Sequence, residues 1–238
     1  MKKNKMMRLA SGLLVAVLLS TCAISGTFAK YVTEGSGTDS ARVAKWGVTV
    51  TANGSMFSKT YETKDPDDKP AVGINSVVSS DDDKLVAPGT KGDMVSMTLA
   101  GTPEVAVEVT YTVDKFEIGD KWMVFSEGSA VADKFYCPIT ITVNGTAFCG
   151  LNYENANAFE AAVTDAIEAY SKKYEANTPL GDKVNDSLHV SWEWAFTDTT
   201  GIVCNQSDAD DTILGNRAAA GDAATIELNV TTTVTQID

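Results

Sequence analysis

The sequence predicts an all-β fold, a jelly-roll-like β-sandwich with one inserted amphipathic helix at about residues 157–177. Three observations predict it. Apolar and polar residues alternate along 105–113 and 224–238, the period of a strand with one buried face. Asn144-Gly145 stands between two alternating runs, a strong local signal for a β-hairpin. Short runs of this kind recur between clusters of Gly, Pro, Asn and Asp, as in sandwiches and jelly rolls.

The runs expected to form strands lie at 42–51, 94–99, 105–113, 139–143, 146–148, 188–196 and 224–238. Alternation in the first run, with one slip before Trp46, places Val43, Trp46, Val48 and Val50 near one core. The sequence has no long linker and no internal repeat. We therefore expect residues 41–238 to form a single domain.

A row of aromatic residues occupies one face of the run at 188–196, namely Trp192, Trp194 and Phe196. Such a row could form a sugar-binding platform. Burial in a sandwich core is the better interpretation, because the two tryptophans bring more apolar area than a surface can spare.

The segment from 157 to 177 has helical rather than strand periodicity. Its apolar residues recur at helical spacing: Phe159, Val163, Ala166, Ile167, Tyr170 and Tyr174. Asn157 and Glu160 fit a capping box, and Asn177 before Thr178-Pro179 marks the end. We expect this helix to cover the core of the sandwich.

The first 29 residues read as an export signal. Lys2, Lys3, Lys5 and Arg8 form a cationic start, an apolar stretch follows over about 9–24, and small residues precede Ala29. Cleavage between Ala29 and Lys30 would release a secreted, extracellular or cell-surface protein. The apolar stretch is too short for a comfortable membrane span, which needs about 20 residues. Lipid modification of Cys22 is an alternative, although Thr21 stands where a small residue is normally required.

Three cysteines follow this signal, Cys137, Cys149 and Cys204. An odd number does not describe a disulfide framework, so one pair with a free thiol and three buried thiols both fit. In a hairpin with a two-residue turn, Thr140 lies opposite Cys149. A bond between Cys137 and Cys149 is therefore not the natural product of this hairpin.

The chain is acidic, with a formal net charge of −13. This charge disfavours nucleic acid and anionic membranes as partners. Acidic residues concentrate in three stretches expected to be solvated loops, at 64–70, 79–84 and 207–211. They offer the oxygen ligands that calcium prefers, but none has the spacing of an EF-hand loop. We assign no metal site and no cofactor, and keep calcium as an open alternative.

The sequence also lacks recognisable catalytic sets. His189 is the single histidine, which excludes an H-E-x-x-H zinc pair and a two-histidine facial triad. No G-x-S-x-G elbow surrounds a serine, and no glycine-rich phosphate loop precedes a helix. A lone histidine in a strand is more often structural than catalytic, so we expect no enzyme and no catalytic residue.

Three short motifs carry a family resemblance. They are GTFAKY at 26–31, SARVAKW at 40–46 and the proline-glycine turn LVAPGTKG at 85–92. With the helical insertion and the terminal strand, the chain resembles the TasA/camelysin-like family of SipW-dependent exported biofilm matrix proteins.

The resemblance implies a jelly-roll domain, export through a dedicated signal peptidase and assembly into extracellular fibres. It further implies that residues 30–40 form a freed N-terminal segment. Its donor strand, from Lys30 to about Thr38, would complete the sheet of the next subunit through Lys30, Tyr31, Val32 and Thr33. Tyr31 and Val32 would anchor it. An added strand satisfies the unpaired backbone groups of a sheet edge, and head-to-tail contacts of this kind give filaments.

We therefore expect a secreted, non-enzymatic structural protein that associates with itself in a biofilm or surface matrix. A monomeric surface adhesin or ligand-binding β-sandwich is the alternative from another class. A camelysin-like metallopeptidase with acidic ligands is weaker, because the sequence contains no recognisable zinc site.

Overall fold

The computed structural model describes residues 41–51, 56–62, 76–94, 98–181, 187–196, 204 and 207–237. The chain divides into two compact units, Met1–Val43 and Ala44–Asp238. The elements described below all belong to the second unit.

Thirteen strands are described, numbered in chain order: β1 Thr49–Thr51, β2 Thr60–Tyr61, β3 Val77–Val78, β4 Lys91–Met94, β5 Thr98–Ala100, β6 Val107–Ile118, β7 Met123–Phe125, β8 Ala132–Phe135, β9 Thr140–Val143, β10 Thr146–Cys149, β11 Ser171–Tyr174, β12 Val190–Glu193 and β13 Ile226–Gln236. The helices are α1 (Ala156–Glu168) and α2 (Asp208–Ala219), with a short 3₁₀ turn at Gly150–Asn152.

All the strand pairs are antiparallel. One sheet has the order β11-β6-β13, a second has the order β10-β9-β12-β4, and three two-stranded ribbons pair β1 with β5, β2 with β3 and β7 with β8. The all-β class is therefore confirmed. The described residues contain two α-helices where the sequence predicted one.

The predicted alternation of the two longest strands is confirmed. β6 buries Val107, Val109 and Tyr111 on one face. β13 alternates between half-buried and exposed side chains over almost its whole length. The two strands pair along their full extent, interrupted by a bulge that leaves Asp114 without an opposite residue between Asn229 and Val230.

The hairpin at Asn144-Gly145 is also confirmed. β9 and β10 are joined by these two residues, and both have positive φ angles, 47° and 86°. Such angles are those of a type I′ turn, whose twist matches that of the strands. Thr140 pairs with Cys149 as expected.

The helix α1 begins and ends earlier than predicted. Asn155, not Asn157, caps its start by accepting a hydrogen bond from the Ala158 amide at 3.0 Å. The helix ends at Glu168, and Tyr174 lies in β11 rather than on the helix. The prediction was wrong there because Tyr170 and Tyr174 continue the helical spacing by coincidence, while pairing with β6 draws the chain into a strand.

The acidic stretch 207–211, expected to be a loop, instead opens α2. Ser207 accepts from the Asp210 amide at 3.3 Å, and three acidic residues occupy the first turn: Asp208, Asp210 and Asp211. Negative charge is favourable at this end of the helix dipole. The cap and these charges are the sequence signal that the loop interpretation overlooked.

The first predicted strand is mostly absent from the core. Val43, Trp46 and Val50 are exposed, and only Val48 packs against the core. Gly47, at φ +51°, breaks the extended run before the three-residue β1. The expected common core face therefore does not form.

Two other predicted strands differ in extent. The run at 94–99 contributes to β4 and β5, which pair with different partners, β12 and β1. The run at 188–196 is a strand only over β12. Trp192 and Trp194 are nevertheless buried, which confirms their interpretation as core residues.

The core draws residues from both larger sheets and from α1. Its fully buried side chains include Val107 and Val109 from β6, Ile141 from β9, and Phe159 and Val163 from α1. Because these residues belong to a single connected cluster, α1 stabilises both sheets through its apolar face.

Two glycine substitutions test the backbone account of the hairpin. A Cβ at Gly145 or at Gly215 in α2 would meet no atom within 4 Å, so packing does not distinguish them. Only Gly145 has a positive φ. We expect Gly145→Ala to destabilise the protein by about 1–2 kcal/mol and Gly215→Ala to stabilise it by about 1 kcal/mol. Denaturant unfolding measures both, and an equal effect of the two changes would contradict the turn assignment.

Candidate functional site

The feature with the clearest potential for intermolecular contact is the outer edge of β13, the side that faces away from β6. Within the described part of the chain, β13 ends the order β11-β6-β13, and no strand pairs with its other side. Its sequence, IELNVTTTVTQ, is rich in β-branched residues and contains neither Pro nor Lys, the residues that commonly protect sheet edges.

The hydrogen-bond pattern shows which backbone groups reach this outer edge. The Ile237 amide donates to the carbonyl of Ala106 at 3.0 Å, which fixes the phase of the ladder. Because the direction alternates along an antiparallel strand, the Thr233 and Thr235 amides point towards β6. The amides of Val234 and Gln236 point the other way, towards the outer edge.

The edge strands of the other described sheets are much shorter. β10 and β4, which bound the four-stranded sheet, have four residues each. Short edges are poor templates for strand addition because they offer few backbone hydrogen bonds. β13, with eleven residues, is therefore the best template among these strands.

The solvent face of the sheet that ends in β13 is polar. Thr231 lies opposite Thr112 and Thr233 opposite Thr110, in adjacent rows. Near the other end, Lys115 bridges Glu227 at 2.7 Å and Glu117 at 2.8 Å. The Lys115 hydrogen bond lowers the pKa of Glu227. This face can stay hydrated while the edge accepts a strand.

The residues predicted to act in processing and donation lie outside the described residues. This applies to the cleavage pair Ala29 and Lys30, to the donor residues Tyr31, Val32 and Thr33, and to Cys22. Their roles remain predictions. The sequence predicted β13 as a strand, but its place at the edge of the sheet depends on pairing across more than a hundred residues.

His189 lies at the surface of the four-stranded sheet. Its Nε2 is 3.7 Å from the exposed Asp93 carboxylate. Its backbone amide donates to the Asn144 side chain at 2.9 Å, and its carbonyl accepts from the Asn144 amide at 2.8 Å. These bonds tie the β9–β10 turn to the residue before β12, which is a structural role.

A buried polar cluster anchors α2 to the core. Asp211 Oδ1 accepts from the Tyr136 hydroxyl at 2.7 Å, and Oδ2 accepts from Trp194 Nε1 at 3.3 Å. The Ser207 amide donates to the Tyr136 hydroxyl at 3.0 Å. Burial raises the pKa of Asp211, against the lowering effect of these hydrogen bonds. Asp211 and Tyr136 have little contact with solvent, so the cluster serves to position α2.

The cysteines form one disulfide and one free thiol. Cys149 at the end of β10 is bonded to Cys204, and Cys137 is free and buried. Of the two arrangements that the sequence allowed, one pair with a free thiol is the correct one. Burial raises the pKa of the Cys137 thiol to about 12, which keeps it protonated and unreactive.

The acidic stretches do not converge on a metal site in the described part of the chain, where no group of three or more candidate ligands is found. Asp81, Asp82 and Asp83 are exposed, and Lys59 pairs with Asp82 at 2.8 Å. Residues 64–70 lie outside the described residues. Calcium binding stays an open alternative that rests on the sequence alone.

Among the described helices, neither is long and apolar enough to cross a membrane.

Removing the disulfide should destabilise the fold strongly. Cys149 and Cys204 are 55 residues apart, so the cross-link restricts a long loop of the unfolded chain. We expect replacement of both by Ala to cost about 4 kcal/mol on the chain-entropy estimate. The control, Cys137→Ala, keeps the disulfide and should cost about 1 kcal/mol. Urea unfolding measures both, and similar losses would argue against the disulfide as a major constraint.

The raised pKa of Asp211 predicts a pH dependence. Because folding favours the protonated carboxyl, this group's contribution to stability is greatest below the ordinary Asp pKa of about 4 and declines as the pH rises through the folded value. Asp211→Asn removes this titration. We expect the free energy of unfolding of the variant to improve relative to the wild type between pH 4 and 7. Asp208→Asn, exposed on the same turn, should leave most of the slope, and identical slopes in all three proteins would refute the account.

Comparison with known proteins identifies no relative: no family, no curated protein and no solved structure matches this chain.

Proposed function

We propose that this chain is a secreted, non-enzymatic structural protein of the TasA/camelysin-like kind, which polymerises into extracellular or biofilm-matrix fibres by donor-strand exchange. The outer edge of β13 is the single observation that carries the proposal. It is eleven residues long, and no described strand pairs with it. Strand addition would satisfy its backbone groups with those of a second chain.

The donor in this proposal is the segment from Lys30 to about Thr38 of a neighbouring copy. Fully extended, it spans about 30 Å, and β13 spans about 36 Å at the usual rise of a strand. The donor can therefore pair along most of the acceptor. Since donor and acceptor are different surfaces of the same chain, the contact repeats without closing and produces a filament.

The proposal includes a jelly-roll-like sandwich as the acceptor fold. The larger sheets contribute buried residues to one core, including Val109 from β6 and Trp192 from β12. A packed core of this kind holds the acceptor strand rigid, which lowers the entropic cost of adding a strand.

The charge of the chain sets conditions for assembly. Removal of residues 1–29 takes away four positive charges, so the formal net charge changes from −13 to −17, and such copies repel one another at low ionic strength. Salt screens this repulsion, since the Debye length falls from about 30 Å at 0.01 M to about 8 Å at 0.15 M. Assembly should therefore be faster at physiological salt than in dilute buffer.

The principal test compares the protein that begins at Lys30 with a version lacking residues 30–38. We expect fibres of the first and monomers of the second by electron microscopy and sedimentation, because only the first carries a donor strand. A protein that stays monomeric in both forms under all salt conditions would overturn the fibre proposal and favour the adhesin.

A proline in β13 tests the acceptor. The amide of Val234 points away from β6, so Val234→Pro removes no ladder bond to β6 but blocks strand addition at that point. Val234→Ala is the matched control for loss of the side chain. We expect at least a tenfold rise in the critical concentration for assembly with Pro and little change with Ala, and equal behaviour of the two would exclude β13 as acceptor.

A further inference from the structure

The sheet that ends in β13 has a second edge, on the side of β11. β11 pairs with β6 only from Val107 to Thr110. The remainder of β6, up to Ile118, extends beyond β11 on that side. We call residues 111–118 on this side the capped edge, for the reason that follows.

Two glutamates of α1 occupy backbone amides of the capped edge. Glu168 Oε1 accepts from the Val113 amide at 2.9 Å, and Glu160 Oε1 accepts from the Ile118 amide at 2.6 Å. The ladder confirms that these amides point away from β13: Gly119 donates to the Thr225 carbonyl at 2.9 Å, so Ile118 faces the opposite side.

The spacing of the two glutamates along α1 allows both to reach amides of β6. They lie eight residues apart on α1, about 12 Å along a helix and close to the same face. The helix runs antiparallel to β6, with the earlier glutamate beside the later strand residue. Aromatic rings pack where the helical segment meets β6. The centres of the Phe116 and Phe159 rings are 5.8 Å apart, and those of Tyr111 and Tyr170 are 5.7 Å apart.

The chemistry of these contacts excludes a further strand. An ionised carboxylate accepts hydrogen bonds but donates none, so it satisfies the amides of β6 without offering a template for another backbone. An incoming strand would have to displace two charge-assisted hydrogen bonds and the helix that carries them. Covering an edge with a helix is a known protection against edge-to-edge pairing.

We propose that α1 caps the second edge of this sheet and thereby confines intermolecular strand addition to β13. The inference rests on the proposed function and specifies how it is regulated: among the described strands, each subunit offers one long acceptor edge, so growth is linear. If the capped edge were uncovered, the β6 edge of one copy could pair with the β13 edge of another without any donor segment.

The test uses protein lacking residues 30–38, in which donor-strand assembly is absent. Glu160→Ala combined with Glu168→Ala removes both acceptors, while the matched control, Glu160→Gln with Glu168→Gln, keeps an oxygen at each position. We expect hydrogen exchange at the Val113 and Ile118 amides to accelerate at least tenfold in the Ala variant only. We also expect its self-association, measured by sedimentation, to occur at a concentration at least tenfold lower than that of the control.

Several outcomes would overturn the inference. The Ala variant could remain as monomeric as the control, the Gln variant could associate equally, or exchange at the two amides could stay unchanged. Near-ultraviolet circular dichroism checks that the variants are folded. If the double variant does not fold, Glu168→Ala alone uncovers Val113 and is compared with Glu168→Gln in the same way.

The design separates this inference from the proposed function. Fibres that require residues 30–38, together with an Ala variant that does not associate, would leave the fibre proposal standing and remove the capping role. If the Ala variant associates but the protein that begins at Lys30 never makes fibres, the capping role would stand and the fibre proposal would fail.

Discussion

The antiparallel ladder between β6 and β13 is the constraint on which the rest of the domain depends. It joins the middle of the chain to its end and continues beyond the strands, where Gly119 donates to the Thr225 carbonyl and Trp122 Nε1 reaches the same oxygen at 2.7 Å. A Cβ at Gly119 would collide with the Thr225 hydroxyl, so a larger residue there requires the Thr225 side chain to move. Arg217 of α2 then donates to the carbonyl of Lys121 at 3.1 Å, which fixes the helix beside the end of the ladder.

The two helices contribute in different ways. α1 combines an apolar face in the core with glutamates on a strand edge, so one element provides both burial and protection of backbone groups. α2 has a weaker apolar face and depends on polar anchors at both ends. Asp211 holds the first turn, and Arg217 forms a charged pair with Asp222 near the last. Burial of a polar group such as Asp211 is costly unless it is hydrogen-bonded, and both of its carboxylate oxygens have partners.

Local patterns in the sequence predicted the structural features that depend only on residues close together in the chain. The alternation of β6 and β13 and the turn at Asn144-Gly145 are confirmed, because the period and the turn residues are themselves the physical cause. Position in the sheet was not predictable, since the edge role of β13 and the capping by Glu160 depend on contacts between distant residues. The errors at Trp46 and Tyr174 have one origin: a periodic pattern continued past the point where a glycine or a strand partner ended the element.

The disulfide between Cys149 and Cys204 has a mechanical consequence. In the proposed filament, a subunit would carry tension between its N-terminal segment and β13. Because β13 lies antiparallel along almost all of β6, many hydrogen bonds would resist sliding together. The covalent cross-link adds a second limit, because the chain between Cys149 and Cys204, which are 55 positions apart, cannot be drawn out while the bond is intact. At about 3.4 Å per extended residue, some 190 Å of chain is withheld from any extension. A stretched subunit would therefore yield only in part, and α1, within that protected loop, could not be pulled out as an extended chain.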